Sequence, residues 1–173
     1  MFRTIARYEE AGLGLPYPVV LIDAAEEEID HQTGERIGVS IPDLDGLVAA
    51  LTVSRAFSPI QLHGSEVRFI RRAVGMSAKQ LASALQIDPA TFSRWENDKQ
   101  SVGEWADKQV RMFAILLLQG HVQELGLDPK EIVGMRIRPR QDGEWPKVEM
   151  HRVHRRSDGP AETDVWDTHK LAA

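Results

Sequence analysis

The chain has 173 residues, 42% of them apolar and 27% charged, with no cysteine and a formal net charge of −5. That is enough chain for one compact domain or two small ones, and it excludes disulfides and thiolate zinc sites. The longest uninterrupted apolar run, 112–118, falls far short of the roughly 20 residues a membrane helix needs, and no basic, then apolar, leader opens the chain. A cytoplasmic protein with no membrane partner is expected.

Charge is segregated along the chain. Residues 1–58 carry four basic and ten acidic side chains, residues 59–129 eight of each, and residues 130–156 eight basic and four acidic. A negative total therefore does not argue against a nucleic-acid partner, because a basic stretch follows a neutral middle.

Residues 1–57 read as an acidic α+β module. "YPVVLIDA" (17–24) is a strand candidate, "HQTGER" (31–36) a turn and "IGVSI" (37–41) a returning strand. A helix follows, capped by Asp43, with Leu44, Leu47, Val48 and Leu51 on one face. "FSPIQLHG" (57–64) has the proline and glycine of a linker.

Residues 60–128 read as consecutive helices. Ser65 is expected to cap the first, which places Val67, Ile70 and Val74 at helical spacing and stops at Gly75. Ser77 with Gln80 three residues on forms a capping box for the second, which carries Leu81, Ala82 and Leu85. Asp88 caps the third, with Pro89 at its first position. The fourth runs from about Gly103 to Gln119. There Trp105, Val110, Phe113, Ala114 and Leu117 are expected in the core, and the apolar surplus at 115–118 is expected to form a dimer seam.

Residues 129–173 form a basic extension, either a hairpin turning at Asp142-Gly143 or a basic arm. Arg136, Arg138 and Arg140 alternate, so on a strand they would share one side. Such a stripe could grip phosphates; the competing reading sets it against the acidic N-terminal module as a brace. His151 and His154 lack a third ligand at sensible spacing and are expected to be ordinary histidines.

The chemistry concentrates at "LQIDPATFSRWENDKQ" (85–100). Only "QID" separates the second and third helices, too short a turn for antiparallel packing, and this implies a helix-turn-helix. On the third helix Phe92 and Trp95 face inward, while Ala90, Ser93, Arg94 and Asn97 face outward with Thr91 on the flank. Small residues at the start of this helix permit close approach to DNA bases. Arg94 can give two hydrogen bonds to guanine O6 and N7, and Thr91 offers a methyl to thymine. Glu96, beside Trp95, is expected to pair within the protein. Arg68, Arg71 and Arg72 either form a solvated helix face or touch phosphate.

"SAKQLASALQIDPATFSRWENDK" (77–99) resembles, without a gap, the helix-turn-helix of lambdoid phage repressors and the wider XRE group. Gln86 stands where many members have glycine. Ala78 replaces a phosphate-contacting glutamine, a task Lys79 or Gln80 would take over. "RYEEAGL" (7–13), "GERIGVSIPDLDGL" (34–47), "LHGSEVRFIRRAVGMS" (62–77) and "ADKQVRMFAILL" (106–117) are similar in order and spacing to MqsA-type antitoxins and their stand-alone relatives. The zinc-binding cysteine pairs of the founding members are absent.

The expected architecture is α+β: an all-α, lambda-repressor-like helix-turn-helix domain, preceded by the small α+β module and followed by the basic extension. The expected function is a sequence-specific, repressor-like transcriptional regulator. It binds double-stranded DNA through Lys79, Gln80, Pro89, Ala90, Thr91, Ser93, Arg94, Asn97 and Lys99, as a homodimer on an inverted repeat. The alternative is an antitoxin that holds a protein toxin through its N-terminal module and autoregulates its operon. No phosphate-cradling loop or nucleophile elbow appears, so neither catalysis nor a cofactor is expected.

Overall fold

In the computed structural model, which describes residues 1–156 and 162–167, the acidic front of the chain forms β1 (Phe2–Glu10), β2 (Val19–Ile29) and β3 (Arg36–Ser40). β2 runs antiparallel to β1, with Val19 opposite Glu10 and Glu28 opposite Phe2. β1 has no counterpart among the sequence expectations. It is an edge strand on which only Ile5, Tyr8 and Glu10 are even half-buried, so it shows no period-2 burial. A bulge explains the broken period: β2 advances from Ile22 to Ala25 while β1 moves from Arg7 only to Ile5. Asp23 in the bulge takes φ 49°, a left-handed conformation that L residues seldom adopt. The turn expected at 31–36 is organised by Asp30, whose carboxylate accepts from the amides of Gln32 and Thr33 at 2.6 and 2.9 Å. Those two bonds hold its pKa below the ordinary value.

Helix α1 (Leu44–Phe57) begins as its sequence requires, with Asp43 accepting from the Gly46 amide at 3.1 Å. It is followed by α2 (Gly64–Ala73), α3 (Ala78–Ala84), α4 (Pro89–Glu96), α5 (Glu104–Leu117), α6 (Gln119–Glu124) and α7 (Lys130–Gly134). One cap differs from expectation. His63, not Ser65, caps α2: the Glu66 carboxylate returns to the His63 amide at 2.8 Å, and the Ser65 hydroxyl is engaged with His63 Nδ1 at 2.7 Å. A histidine cap carries no strong sequence preference, so the nearby serine was the more visible signal.

The C-terminal stretch departs most from expectation. Asp142 and Gly143 do form a turn, with Gly143 at φ 74°, but no hairpin opens from it. β4 (Val148–Arg156) instead runs parallel to β2, with Val148 opposite Val19 and His151 opposite Ile22, and β5 (Glu162–Asp167) pairs antiparallel to β4. The strand order is β1-β2-β4-β5, with β3 also on β2. Val148, Met150 and Trp166 thereby join Val19, Leu21, Leu47, Leu51 and Phe69 in one buried cluster. The extension completes the N-terminal sheet.

The alternating arginines do not make a stripe. Arg138 pairs with Glu144, its Nη1 2.9 Å from Oε2, and this hydrogen bond above all lowers the Glu144 carboxyl to about 2. Arg140 lies over the Trp145 ring, 4.5 Å from its centroid, and 3.7 Å from the buried Glu66 carboxylate. The Arg138 backbone exchanges hydrogen bonds with Pro59 and Gln61, both at 2.9 Å. The segment braces the fold, and the phosphate-gripping stripe is not formed.

Two buried ion pairs tie the sheet side of the molecule to the helices. The Glu66 carboxylate of α2 accepts from the Arg55 guanidinium of α1 and, at 2.8 Å, from the Tyr17 hydroxyl. Burial pushes the Tyr17 pKa far up, which keeps that hydroxyl a donor. On α5, Arg111 pairs with Asp107 one turn away and donates to the carbonyls of Ala56 and Ile60 at 3.0 and 2.7 Å. Asp107 in turn accepts from the Leu62 amide at 2.7 Å. Every polar end of these pairs has a partner, which is what lets charge sit where water is excluded.

Candidate nucleic-acid interface

The stretch 77–100 is built from local signals that agree with one another. Ser77 accepts from the Gln80 amide at 3.2 Å while Gln80 Oε1 accepts from the Ser77 amide at 2.8 Å, closing the expected capping box. After α3 the chain reverses at Gln86, whose φ of 54° lies in the left-handed region. Many sequences of the resembled group have glycine at this place, and the backbone shows why: a Cβ is strained there. Asp88 then caps α4 by accepting from the Thr91 amide at 2.9 Å, with Pro89 at the first helical position.

Packing fixes which way α4 faces. Phe92 and Trp95 are buried with Val67, Ile70, Leu81 and Leu85. Pro89, Ala90, Ser93, Arg94 and Asn97 are exposed and Thr91 is half-buried. The contact with α2 is close enough that a Cβ added to Gly64 would sit 2.0 Å from the Trp95 carbonyl oxygen. Glu96, though next to the exposed face, is buried against Arg71, 2.7 Å from its Nε, so it is a tether between α4 and α2.

The end of α4 is an ordered reversal. The Asp98 amide donates to Trp95 O at 3.0 Å and the Lys99 amide to Arg94 O at 2.9 Å, with Asp98 at φ 55°; this is the Schellman pattern. Asp98 Oδ1 also accepts from the Gly64 amide at 2.8 Å, so the reversal is pinned to the start of α2. Gln100, just past it, comes back over α4 and accepts from Arg94 Nε at 3.2 Å, while Arg94 Nη2 donates to Thr91 Oγ1 at 2.8 Å.

These contacts sort the expected site residues. Thr91 and Arg94 meet, joined by Gln100, which sequence reasoning missed because it lies outside the helix. Asn97 is engaged at both ends: its Nδ2 donates to Ser93 O at 2.8 Å and its Oδ1 accepts from Arg68 at 3.2 Å. Lys99 is exposed in the reversal. Lys79 and Gln80 are exposed on α3, apart from the α4 residues in sequence, and the Gln80 acceptor is occupied by its cap.

Exposed charge around α4 is mixed. Glu66, Glu96 and Asp107 are buried in ion pairs with Arg55, Arg71 and Arg111, while Arg72, Lys79, Arg94 and Lys99 are exposed beside the equally exposed Asp88 and Asp98. Pairing removes both signs alike, so the segment keeps the balance its sequence has, with Arg94 as the exposed cation within α4 itself. Among the described residues, no group of three or more His, Asp or Glu could hold a metal ion, and no helix is long and apolar enough to cross a membrane.

No family model matches the chain, and no solved structure matches it. It is 26% identical over 127 residues to a protein of Sulfurisphaera tokodaii named as an HTH-type transcriptional regulatory protein. The matched region covers 70% of this chain and 43% of that relative, so the chain spans less than half of the relative's length.

Proposed function

We propose that this chain is a sequence-specific DNA-binding transcriptional regulator of repressor type, with α3 and α4 as an XRE-like helix-turn-helix and α4 entering the major groove. The observation that carries the reading is the division of α4: one side locked by Phe92 and Trp95, the other presenting Ala90, Ser93 and Arg94 on a start stripped of bulky side chains. A capped helix of eight residues whose outer face holds an arginine has the dimensions and donors for guanine edges. The distant relative named as a regulator points the same way. In this reading Lys79, Gln80 and Lys99 approach phosphates, and Pro89, Ala90, Thr91, Ser93, Arg94 and Asn97 approach bases.

One short helix reads only a few base pairs, so the reading includes a homodimer on an inverted repeat. The face that would serve is not the run 115–118 as a unit, since Ile115 is buried in the core. Trp105, Met112 and Leu116 are 70%, 48% and 65% exposed at spacings of seven and four on α5, beside a groove of about 1050 Å³ shared with α7. Trp105 and Leu117, both expected in the core, are exposed on α5 instead. The antitoxin-like alternative would use the unpaired edge of β1 for a protein toxin.

The test is selection of bound duplexes from a random library by the full chain, followed by a salt titration on the selected site. The expected result is one enriched palindromic motif and an affinity that falls steeply with salt. Recovery of unenriched sequence at every round is the contrary result.

A further inference from the structure

We infer that Gln100 is a positioning residue for Arg94: it sets the direction of the guanidinium and with it the guanine preference of the α4 face. The inference rests on the DNA-binding reading and adds a residue outside the recognition helix to its specificity.

An exposed arginine loses several rotamers when it commits to a base, and that ordering subtracts from affinity unless it is done beforehand. Here the guanidinium is held from two sides, by Gln100 Oε1 on Nε and by Thr91 Oγ1 on Nη2. Both partners are neutral acceptors, so the charge is not cancelled. Arginine has five N–H donors; two are used, which leaves both donors of Nη1 and one of Nη2. A guanidinium with donors left on both Nη atoms can still give the paired bonds that guanine O6 and N7 accept. Arg68 and Arg71, on α2, differ: their donors go to Glu96 and Asn97 or to Glu96 and Met76 O.

Gln100 can do this only because its own place is fixed. The Schellman reversal turns the chain back over Arg94, the Asp98 bond to the Gly64 amide pins the reversal, and Gln61 Nε2 holds Val102 O at 2.6 Å on the far side. The linker between α1 and α2 therefore orients an arginine on α4. Thr91 keeps the role its methyl suggests: its hydroxyl is committed to Arg94 and the methyl is left for a base.

The experiment measures binding of the full-length parent, Gln100→Ala and Gln100→Glu to the parent's selected duplex. Each is also measured on the duplex whose Arg94-dependent guanine is changed to adenine. Gln100→Ala is expected to lower the guanine-over-adenine ratio roughly three- to ten-fold with an unchanged melting temperature. Gln100→Glu keeps an acceptor at Nε but adds a charge that pairs with Arg94 and repels phosphate, so it is expected to weaken binding to both duplexes while its guanine-over-adenine ratio stays above that of Gln100→Ala. A Gln100→Ala protein with the parental ratio overturns the inference and leaves the DNA-binding reading standing. A parent that selects no sequence overturns both.

Discussion

Arg55 and Arg111 are buried and Arg94 is exposed, although all three sit on amphipathic helices. What separates them is the partner. Arg55 meets Glu66 and Arg111 meets Asp107, each pair completed by backbone carbonyls or amides. Burial alone would raise the Glu66 pKa, but the hydrogen bond and charge of Arg55 outweigh it and hold the carboxyl below its ordinary 4.5. The folded-state value is thus the lower one. Ionised Glu66 contributes stability fully above pH 4.5, and that contribution is lost as pH falls through the folded-state value. Glu66→Gln is expected to cost about 3–5 kcal/mol at neutral pH by stranding Arg55. It should also flatten the acid limb of a urea-midpoint profile; an acid limb as steep as the parent's would be the contrary finding. For Arg94→Ala the expectation is a loss of about 1–3 kcal/mol on the selected duplex with relaxed preference at one base pair per half-site. Equal affinity of variant and parent would contradict it.

At the scale of the element, the turn between α3 and α4 and the crossing of α2 over α4 make opposite demands on glycine. Gln86 holds a left-handed conformation with a side chain, so Gln86→Gly is expected to stabilise by up to about 1 kcal/mol by relieving that strain. Gly64 has no room for a Cβ next to Trp95 O. Gly64→Ala is therefore expected to destabilise by about 1–3 kcal/mol, because the clash is with backbone. It should also weaken DNA binding by moving the reversal after α4. Thermal unfolding of both variants checks the two signs together. The caps at Asp43, Ser77 and Asp88 were legible because each is a local bond between a side chain and an amide three residues on. β1 and the His63 cap were not. An edge strand interrupted by a bulge has no alternation to read, and a histidine cap works here through Glu66, whose carboxylate is anchored by distant Tyr17 and Arg55.

For the whole molecule, the sheet is closed by strands that are far apart in sequence. Truncation after Glu131 removes Ile132 from one core cluster and Val148, Met150 and Trp166 from another. The expected outcome is loss of cooperative unfolding by circular dichroism, with DNA binding lost as a consequence. Retained cooperative melting with a shallower salt slope of DNA binding would instead revive the phosphate-gripping arm. On the α5 surface, Leu116→Glu is expected to shift the protein towards monomer and weaken palindromic sites more than half-sites. Sedimentation velocity on the parent and variant reads this directly, and an unchanged dimer would move the seam elsewhere.

The sequence by itself determined the helices of the middle of the chain, the caps at Ser77 and Asp88, the inward pair Phe92 and Trp95, and the outward residues Ala90, Ser93, Arg94 and Asn97. These follow from interactions within a few residues, which a linear reading can see. Only the tertiary structure decided that the basic extension finishes the N-terminal sheet, that Arg138 and Arg140 face Glu144 and Trp145 rather than solvent phosphate, and that Trp105 stays outside the core. It alone brought Gln100 to Arg94. Strand pairing and ion pairing between distant residues depend on which surfaces the packed core leaves available, and no local pattern encodes that choice.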